Sequence, residues 1–423
     1  MAYLVYIEMN GSSVPAGTIS TAADGGEFTY DEHYLRRAGA APISVHLPLQ
    51  SETFPAKQTK VFFDGLLPEG FTRRTIQQRM HLGSDDYLKL LHALGRECLG
   101  AIRVLEEGEE TDADAYEPLS MERVRELAAE GAEVSADLVA GTHVSLTGAS
   151  GKVGLYHDAA EDRWYLPGGG APSTHIVKQS HVRLEGIVTN EQLCLMTARR
   201  CGISTAEGFI INMGNAADGE VLLASARYDR DLETSKQYIG SLRRPLRLHQ
   251  EDFAQAMGVS ADEKYEEEKS GYLERMFSLL RRYSSNPVAD QISLWDRIVF
   301  NYLLGNTDAH LKNYSLLYDA GLRSARLAPA YDLLSTTVYS SSTRNMSCYI
   351  GEECRIDAID EGSFRMAAHE AGLGERMAMD HLARIRNCFP AALDESAREL
   401  TALGFTRAED IGRRIMETGG ISH

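Results

Sequence analysis

The sequence predicts an α+β chain: a β-rich lobe, then a mostly helical lobe, preceded by an extra α/β subdomain. Three observations carry this. Residues 1–107 mix strand-like runs with turn signals and one helix. Residues 140–230 run strand, hairpin, strand, helix, strand, strand. From about residue 248 onward, apolar residues recur at three-to-four spacing, the period of amphipathic helices. The 423 residues, 43% hydrophobic and 25% charged, suffice for two or three globular domains.

The N-terminal run Leu4–Glu8 reads as a first strand and Ile43–Leu47 as another, with turns at Asn10-Gly11 and Asp24-Gly25-Gly26. The start lacks a basic region followed by a long apolar one, which argues against a signal peptide. No apolar run approaches the ~20 residues needed to cross a bilayer. A cytoplasmic protein with no membrane contact is therefore expected. Phe62 to Gly70 reads as a packed loop, and Asp85–Leu94 as a helix. Residues 106–117 are acidic and nearly free of core residues, which predicts a surface linker ahead of a short helix at Ser120–Gly131.

In the β-rich lobe, Lys152–His157 and Arg163–Leu166 flank a turn and predict a hairpin. Thr174–Gln179 is a strand carrying Lys178. Thr189-x-x-Gln192 is a capping box opening a helix that Gly202 stops, and Gly208–Met213 and Glu220–Tyr228 are further strands. The helices that follow are Glu251–Met257, Tyr272–Tyr283, Gln291–Leu304, Arg376–Cys388 and Ala391–Leu403, interrupted by a strand-like Tyr314–Tyr318. These boundaries divide the chain into 1–107, 108–235 and 236–423.

A net charge of −18 disfavours nucleic acid over most of the surface. The basic stretch Arg243-Arg244-Pro245-Leu246-Arg247 is either a solvated loop or a local phosphate contact. Six scattered cysteines without C-x-x-C suggest a reducing compartment and no structural zinc. Cys194 and Cys201, seven apart in a helical pattern, are expected in the core.

The chemistry concentrates in Gly305-Asn306-Thr307-Asp308-Ala309-His310-Leu311-Lys312-Asn313 and in Tyr331-Asp332. Transfer of a phosphoryl group to a hydroxyl needs a group that orients the nucleophile and accepts its proton. It also needs oxygen donors for the Mg²⁺ that neutralises phosphate charge. Asp308 is offered for the first task, Asn313 and Asp332 for the second. Alternatively, Asp308 merely caps a turn and His310 is a surface residue. Strand, hairpin, lysine strand, helix and two strands, followed by helices and this loop, match the order of a two-lobed kinase-like fold.

Three further segments fit that reading, each with a plainer one beside it. The small residues of Val144 to Lys152 would let backbone N–H groups approach phosphates, or form a hairpin turn. Lys178 points toward phosphates with Glu191 as ion-pair candidate, or is an edge-strand lysine in solvent. Ala226-Arg227-Tyr228 offers backbone groups to adenine with Tyr228 packing on the base, or is a strand end and loop.

Taken together these residues resemble the HipA family of serine/threonine kinase toxins from bacterial toxin–antitoxin pairs, over essentially the whole chain. The matching segments, in order, are Phe63 to Glu69, Ser145 to Lys152, Thr174 to Lys178, Asn190-Glu191, Ala226 to Arg230, Gly305 to Ser315 and Leu327 to Asp332. The resemblance implies that Asp308 is the catalytic base and that Asn313 and Asp332 bind Mg²⁺. It implies that Thr147, Gly148, Ala149, Ser150, Gly151, Lys152, Lys178 and His310 contact ATP phosphates, and that Ala226, Arg227 and Tyr228 line the adenine site, with Tyr331 also in the ATP site. Ser145 is the implied autophosphorylation site, and Thr147 a second hydroxyl that could be modified. The implied partner is a small HipB-like helix-turn-helix antitoxin through which DNA is reached. The implied substrate is a protein, aminoacyl-tRNA synthetases being the family's known targets. Ala226 stands where the family often has Glu, and Ser150-Gly151 replaces its Gln-Glu pair. A small-molecule kinase of the sugar or aminoglycoside type and a non-catalytic co-repressor are the alternative functions.

Overall fold

The computed structural model describes residues 2–22, 25–83, 86–109, 113–120, 122–124, 126, 152–179, 184–212 and 221–422. Ser145, Thr147, Gly148, Ala149, Ser150 and Gly151 lie outside these residues, as does most of the helix expected at Ser120–Gly131. The chain forms two compact units. One comprises Met1–Gln179, Leu222–Ala261 and Leu317–Ala325; the other comprises Ser180–Val221, Asp262–Leu316 and Arg326–His423.

The first unit begins with an antiparallel sheet of β1 (Ala2–Met9), β2 (Ser12–Ala22), β3 (Gly25–Tyr30) and β4 (Ile102–Glu106), in the order β3-β2-β1-β4. The Asn10-Gly11 turn adopts left-handed backbone at both residues, as its sequence predicts. Tyr3, Val5 and Ile7 point inward along β1 at the period of two that a half-buried strand requires. Phe62 and Phe63, expected in a loop, close the helix Ala56–Asp64 and are buried, Phe63 against Phe28, which in turn stacks on Phe54. Ile43–Leu47 is no strand. It is a turn closed by a single bridge between Ser44 and Leu47.

The same unit carries β5 (Ala115–Pro118), β6 (Lys152–Asp158), β7 (Arg163–Gly168) and β8 (His175–Gln179). After β9 (Gly208–Asn212), which falls in the other unit, comes β10 (Val221–Ala226). The first unit's strands lie in the order β5-β7-β6-β8-β10, with the expected β6–β7 hairpin. β5 begins within the acidic stretch read as a linker and ends one residue past it. Its main chain pairs with β7 although its side chains bring almost nothing to a core, which suits an outer strand.

Three buried polar anchors tie the segment before residue 107 to the segment after 226. Glu8 accepts the backbone N–H of Arg247 at 2.8 Å and pairs with the Arg244 guanidinium at 2.5 Å. The stretch Arg243–Arg247 is therefore no solvated loop: Arg247 is 1% exposed. The second anchor joins Glu97 and Asp229 to Arg227 and Arg230, all four buried. In the third, Glu251 accepts from Ser44 Oγ at 2.6 Å, Val45 N at 3.0 Å and Tyr318 Oη at 2.5 Å.

Among the described residues, the hydrogen-bond donors to Glu251 are all uncharged. Burial outweighs those bonds and pushes its carboxyl up to about 7. The folded state thus holds a proton that the unfolded chain releases near pH 4.5. Stability attributable to this group falls as pH rises from about 4.5 to about 7. We expect Glu251→Gln, followed by chemical denaturation across that window, to flatten the slope. An identical slope in the two proteins would remove Glu251 as its source.

The second unit is mostly helical. The helix Ile187–Arg200 begins after Gly186, two residues before the expected capping box, so Thr189 and Gln192 lie inside its first turns and are buried. Cys194 and Cys201 are buried, as expected. The helix Pro287–Leu304 starts earlier than its apolar pattern because Asn286 caps it and Pro287 occupies the first turn, where no N–H is needed. Arg376–Cys388 and Ala391–Leu403 are not two helices but one, Glu375–Ala402, continuous through Pro390. The helices Glu361–Glu370 and Arg407–Thr418 and the hairpin strands Asn345–Ile350 and Glu353–Arg355 complete the unit. Among the described residues no helix is long and apolar enough to cross a membrane.

Candidate active site

The loop after the helix Pro287–Leu304 is built from its own hydrogen bonds. Gly305 caps the helix in left-handed backbone, and a Cβ there would lie 2.1 Å from Thr337 Oγ1, so only glycine fits. Its carbonyl accepts from Thr336 N at 3.0 Å and Thr337 N at 3.1 Å. Thr307 N donates to Thr336 Oγ1 at 2.8 Å. Asn306 turns back to Asn301, its Nδ2 reaching Asn301 Oδ1 at 2.9 Å, and its own Oδ1 receives the Asp308 N–H at 3.2 Å.

Asp308 and Asn313 are thereby brought together. The Asp308 carbonyl accepts from His310 N and from Asn313 Nδ2, each at 2.8 Å. The turn Leu311–Asn313 sets this separation. With Nδ2 engaged, Asn313 has its Oδ1 as the atom that could take a cation. The side chain of Asp308 is half-buried and receives the hydroxyl of Tyr265 on Oδ1. His310 is buried beneath the same ring, edge to face, with centroids 5.0 Å apart.

The Tyr331 hydroxyl donates to the Lys312 carbonyl at 2.9 Å and meets Ser315 Oγ at 2.6 Å. It holds the loop. Asp332 follows with φ +52°, left-handed backbone that is uncommon outside glycine and that aspartate adopts more readily than most residues. Three residues on, Asn190 grips Ser335 on both sides: its Nδ2 donates to the Ser335 carbonyl at 2.8 Å and its Oδ1 accepts the Ser335 N–H at 3.0 Å.

In the first unit, Lys178 lies on β8 between β6 and β10 and is 8% exposed, so it is no edge-strand lysine. Its direct neighbour across the antiparallel ladder is Lys152. Two ammonium groups opposite one another on one face repel, and an anion between them would reverse the sign. Ala226 ends β10 opposite His175. The Arg227 guanidinium turns inward to Glu97, Asp229, Ser173 Oγ and the Cys98 carbonyl, which leaves its backbone groups, those expected to face adenine, as what it could offer there. The Tyr228 hydroxyl is engaged by Gln250. Glu191 is buried on the helix Ile187–Arg200 in the second unit, whereas Lys178 belongs to the first.

Sequence reasoning missed Tyr265 and Asn190. Tyr265 sits in a run of acidic residues 43 positions before Asp308 and carries no motif. Asn190 stands in the sequence only as half of the Asn190-Glu191 pair, which by itself points to no task.

Residues 144–393 match the HipA-like C-terminal domain and residues 7–105 match the HipA N-terminal domain. The chain is 31% identical over 403 residues to "Putative kinase Y4mE" of Sinorhizobium fredii, covering 94% of this chain and 90% of that protein. It is 27% identical over 406 residues to "Serine/threonine-protein kinase toxin HipA" of Shewanella oneidensis, covering 92% and 88%. The solved structure of Shewanella oneidensis HipA with HipB and operator DNA superposes with a TM-score of 0.77 at 23% identity, over 98% of this chain and 97% of that one. That likeness bears on the fold, an α+β kinase-like one.

Proposed function

The chain belongs to the HipA family, and from that premise we propose that it is an ATP-dependent serine/threonine protein kinase acting as the toxin of a toxin–antitoxin pair. The observation that carries this reading is the Asp308–Asn313 loop, closed on itself by hydrogen bonds and followed by Asp332. Asp308 presents a carboxylate to an acceptor hydroxyl and takes its proton as transfer proceeds. Asn313 and Asp332 are hard oxygen donors of the number a Mg²⁺ ion takes from a kinase, and they would hold one. When bound, the ion would supply neutralisation of phosphate charge. Lys152 and Lys178 would hold ATP phosphates, with Thr147–Gly151 and His310 contributing. The main chain at Ala226 and the ring of Tyr228 would face adenine, and Glu191 would pair with Lys178.

In this reading residues 1–107 form the N-terminal subdomain, 108–235 the nucleotide-binding lobe and 236–423 the catalytic helical lobe. A HipB-like helix-turn-helix antitoxin is the proposed partner, and DNA is reached through it. The support is that the Shewanella HipA structure holds HipB and operator DNA. The proposed substrate is a translation component such as an aminoacyl-tRNA synthetase. Incubation with [γ-³²P]ATP and Mg²⁺ in cell extract tests this. Label on protein supports a protein kinase, and label only on small metabolites overturns it.

Ser145 is the proposed autophosphorylation site and Thr147 an accessory one. A phosphate adds about −1.5 to −2 charge, which on the loop meant to cradle ATP would repel the nucleotide. Intact mass after ATP treatment should show at least one phosphate fewer in Ser145→Ala than in the unaltered protein. An unchanged count sinks the assignment.

A further inference from the structure

Asp308 already has company. Tyr265 Oη donates to its Oδ1, and the ring stands edge-on to His310 while 39% of the residue remains exposed. The main chain on either side of Tyr265 is fixed. The Lys264 carbonyl accepts from Leu311 N at 3.3 Å, and the buried Glu266 carboxylate accepts from Ser270 N at 2.7 Å, Tyr272 N at 3.0 Å and Tyr349 N at 3.0 Å. The hydroxyl is therefore delivered to Asp308 by a rigid backbone, at the end of a side chain that water can reach.

The catalytic loop keeps its shape through other groups. Asn306 holds Asp308 N, while His310 N and Asn313 Nδ2 hold Asp308 O. The Tyr265 hydroxyl adds nothing to that main-chain framework. It adds an O–H donor on the carboxylate that must receive the acceptor O–H, and a phenol donates the same bond as a serine or threonine.

Resting on the kinase reading above, we propose that Tyr265 occupies the acceptor position at Asp308 in the resting protein and is displaced by the incoming substrate hydroxyl. Tyr265 is thus an internal competitor that guards the base against adventitious acceptors, water included. An acceptor that must first displace it binds with an apparent affinity reduced by the fraction of molecules in which Asp308 is open. For a half-exposed, charge-assisted hydrogen bond that reduction is roughly three- to tenfold.

The test uses the full chain with ATP and Mg²⁺, following ATP turnover alone and phosphate transfer to dephosphorylated casein. Tyr265→Phe keeps the ring against His310 and deletes only the hydroxyl; thermal denaturation checks that it folds. It should lower KM for casein and raise ATP turnover in the absence of casein, each roughly three- to tenfold, with kcat not reduced. An unchanged KM and basal turnover overturns the proposal. So does a fall in kcat, which would make the hydroxyl a group that orients Asp308 for catalysis. Asp308→Asn separates the two levels. Turnover that ignores Asp308 overturns the kinase reading and this proposal with it, whereas Asp308-dependent turnover with no effect of the Phe variant overturns the proposal alone.

Discussion

On the proposed kinase reading, Asp308→Asn is expected to lower ATP-dependent phosphorylation by roughly 10²- to 10⁴-fold, the range for losing a positioned general base. The fold survives the change. The main chain of Asp308 is held by Asn306, His310 and Asn313, none of which needs the carboxylate. An asparagine Oδ1 can still accept the Tyr265 hydroxyl, so the local network persists. What disappears is the negative charge and the ability to take a proton. Labelled phosphate in extract, measured alongside thermal denaturation, checks both halves. A variant as active as the unaltered protein would remove Asp308 from the chemistry, and one that melts far lower would make the residue structural.

Glu97→Ala costs about 3–5 kcal/mol of stability, the penalty for breaking a buried ion pair and stranding the opposite charge. Glu97 receives Arg227 Nη1 at 2.8 Å and Arg230 Nη2 at 2.6 Å, and all three side chains are essentially sealed from water. Burial by itself would raise the Glu97 carboxyl, but Arg227, Arg230 and Arg247 together hold it below its ordinary range. Asp229 is likewise opposed by burial, yet Arg227 and Arg230 bring it down to about 2. The sign for pH follows. These carboxylates stabilise the fold above their unfolded values near 4, and the contribution is lost as pH falls toward 2. Denaturant titration of Glu97→Ala at neutral pH measures the penalty. A loss under about 1 kcal/mol would mean that water reaches the guanidinium groups after all.

The closed loop from Asp308 to Asn313, the candidate site, was legible because its logic is local. Asp308 and Asn313 lie five residues apart, one turn closes the gap, and the residue types carry their own chemistry. The hairpin at β6–β7 and the helix Tyr272–Tyr283 were legible for the same reason, since turn signals and periodicity act over a few residues. What failed depends on partners far along the chain. Nothing local assigns a task to the Arg227 side chain, because its partner Glu97 is 130 residues away. Arg247 looked solvated, and Glu8 lies 239 residues off. Asn190 gains its task from Ser335, 145 residues on. The periodicity suggests two helices, Arg376–Cys388 and Ala391–Leu403, yet the single helix Glu375–Ala402 runs through Pro390, with Phe389, Ala392 and Leu393 buried around it.

The four-charge anchor also decides how this chain could be divided. Cut in the acidic stretch between β4 and β5, it would give a front piece carrying Glu97 and a rear piece carrying Asp229 with both guanidinium groups. Neither piece would have a finished surface to show to water, since each would expose charges whose counter-ions reside on the other. The products would behave as obligate halves governed by mass action, folded together above some concentration and unstable below it. The front segment is in that sense a structural co-subunit that happens to share a peptide backbone with the rest.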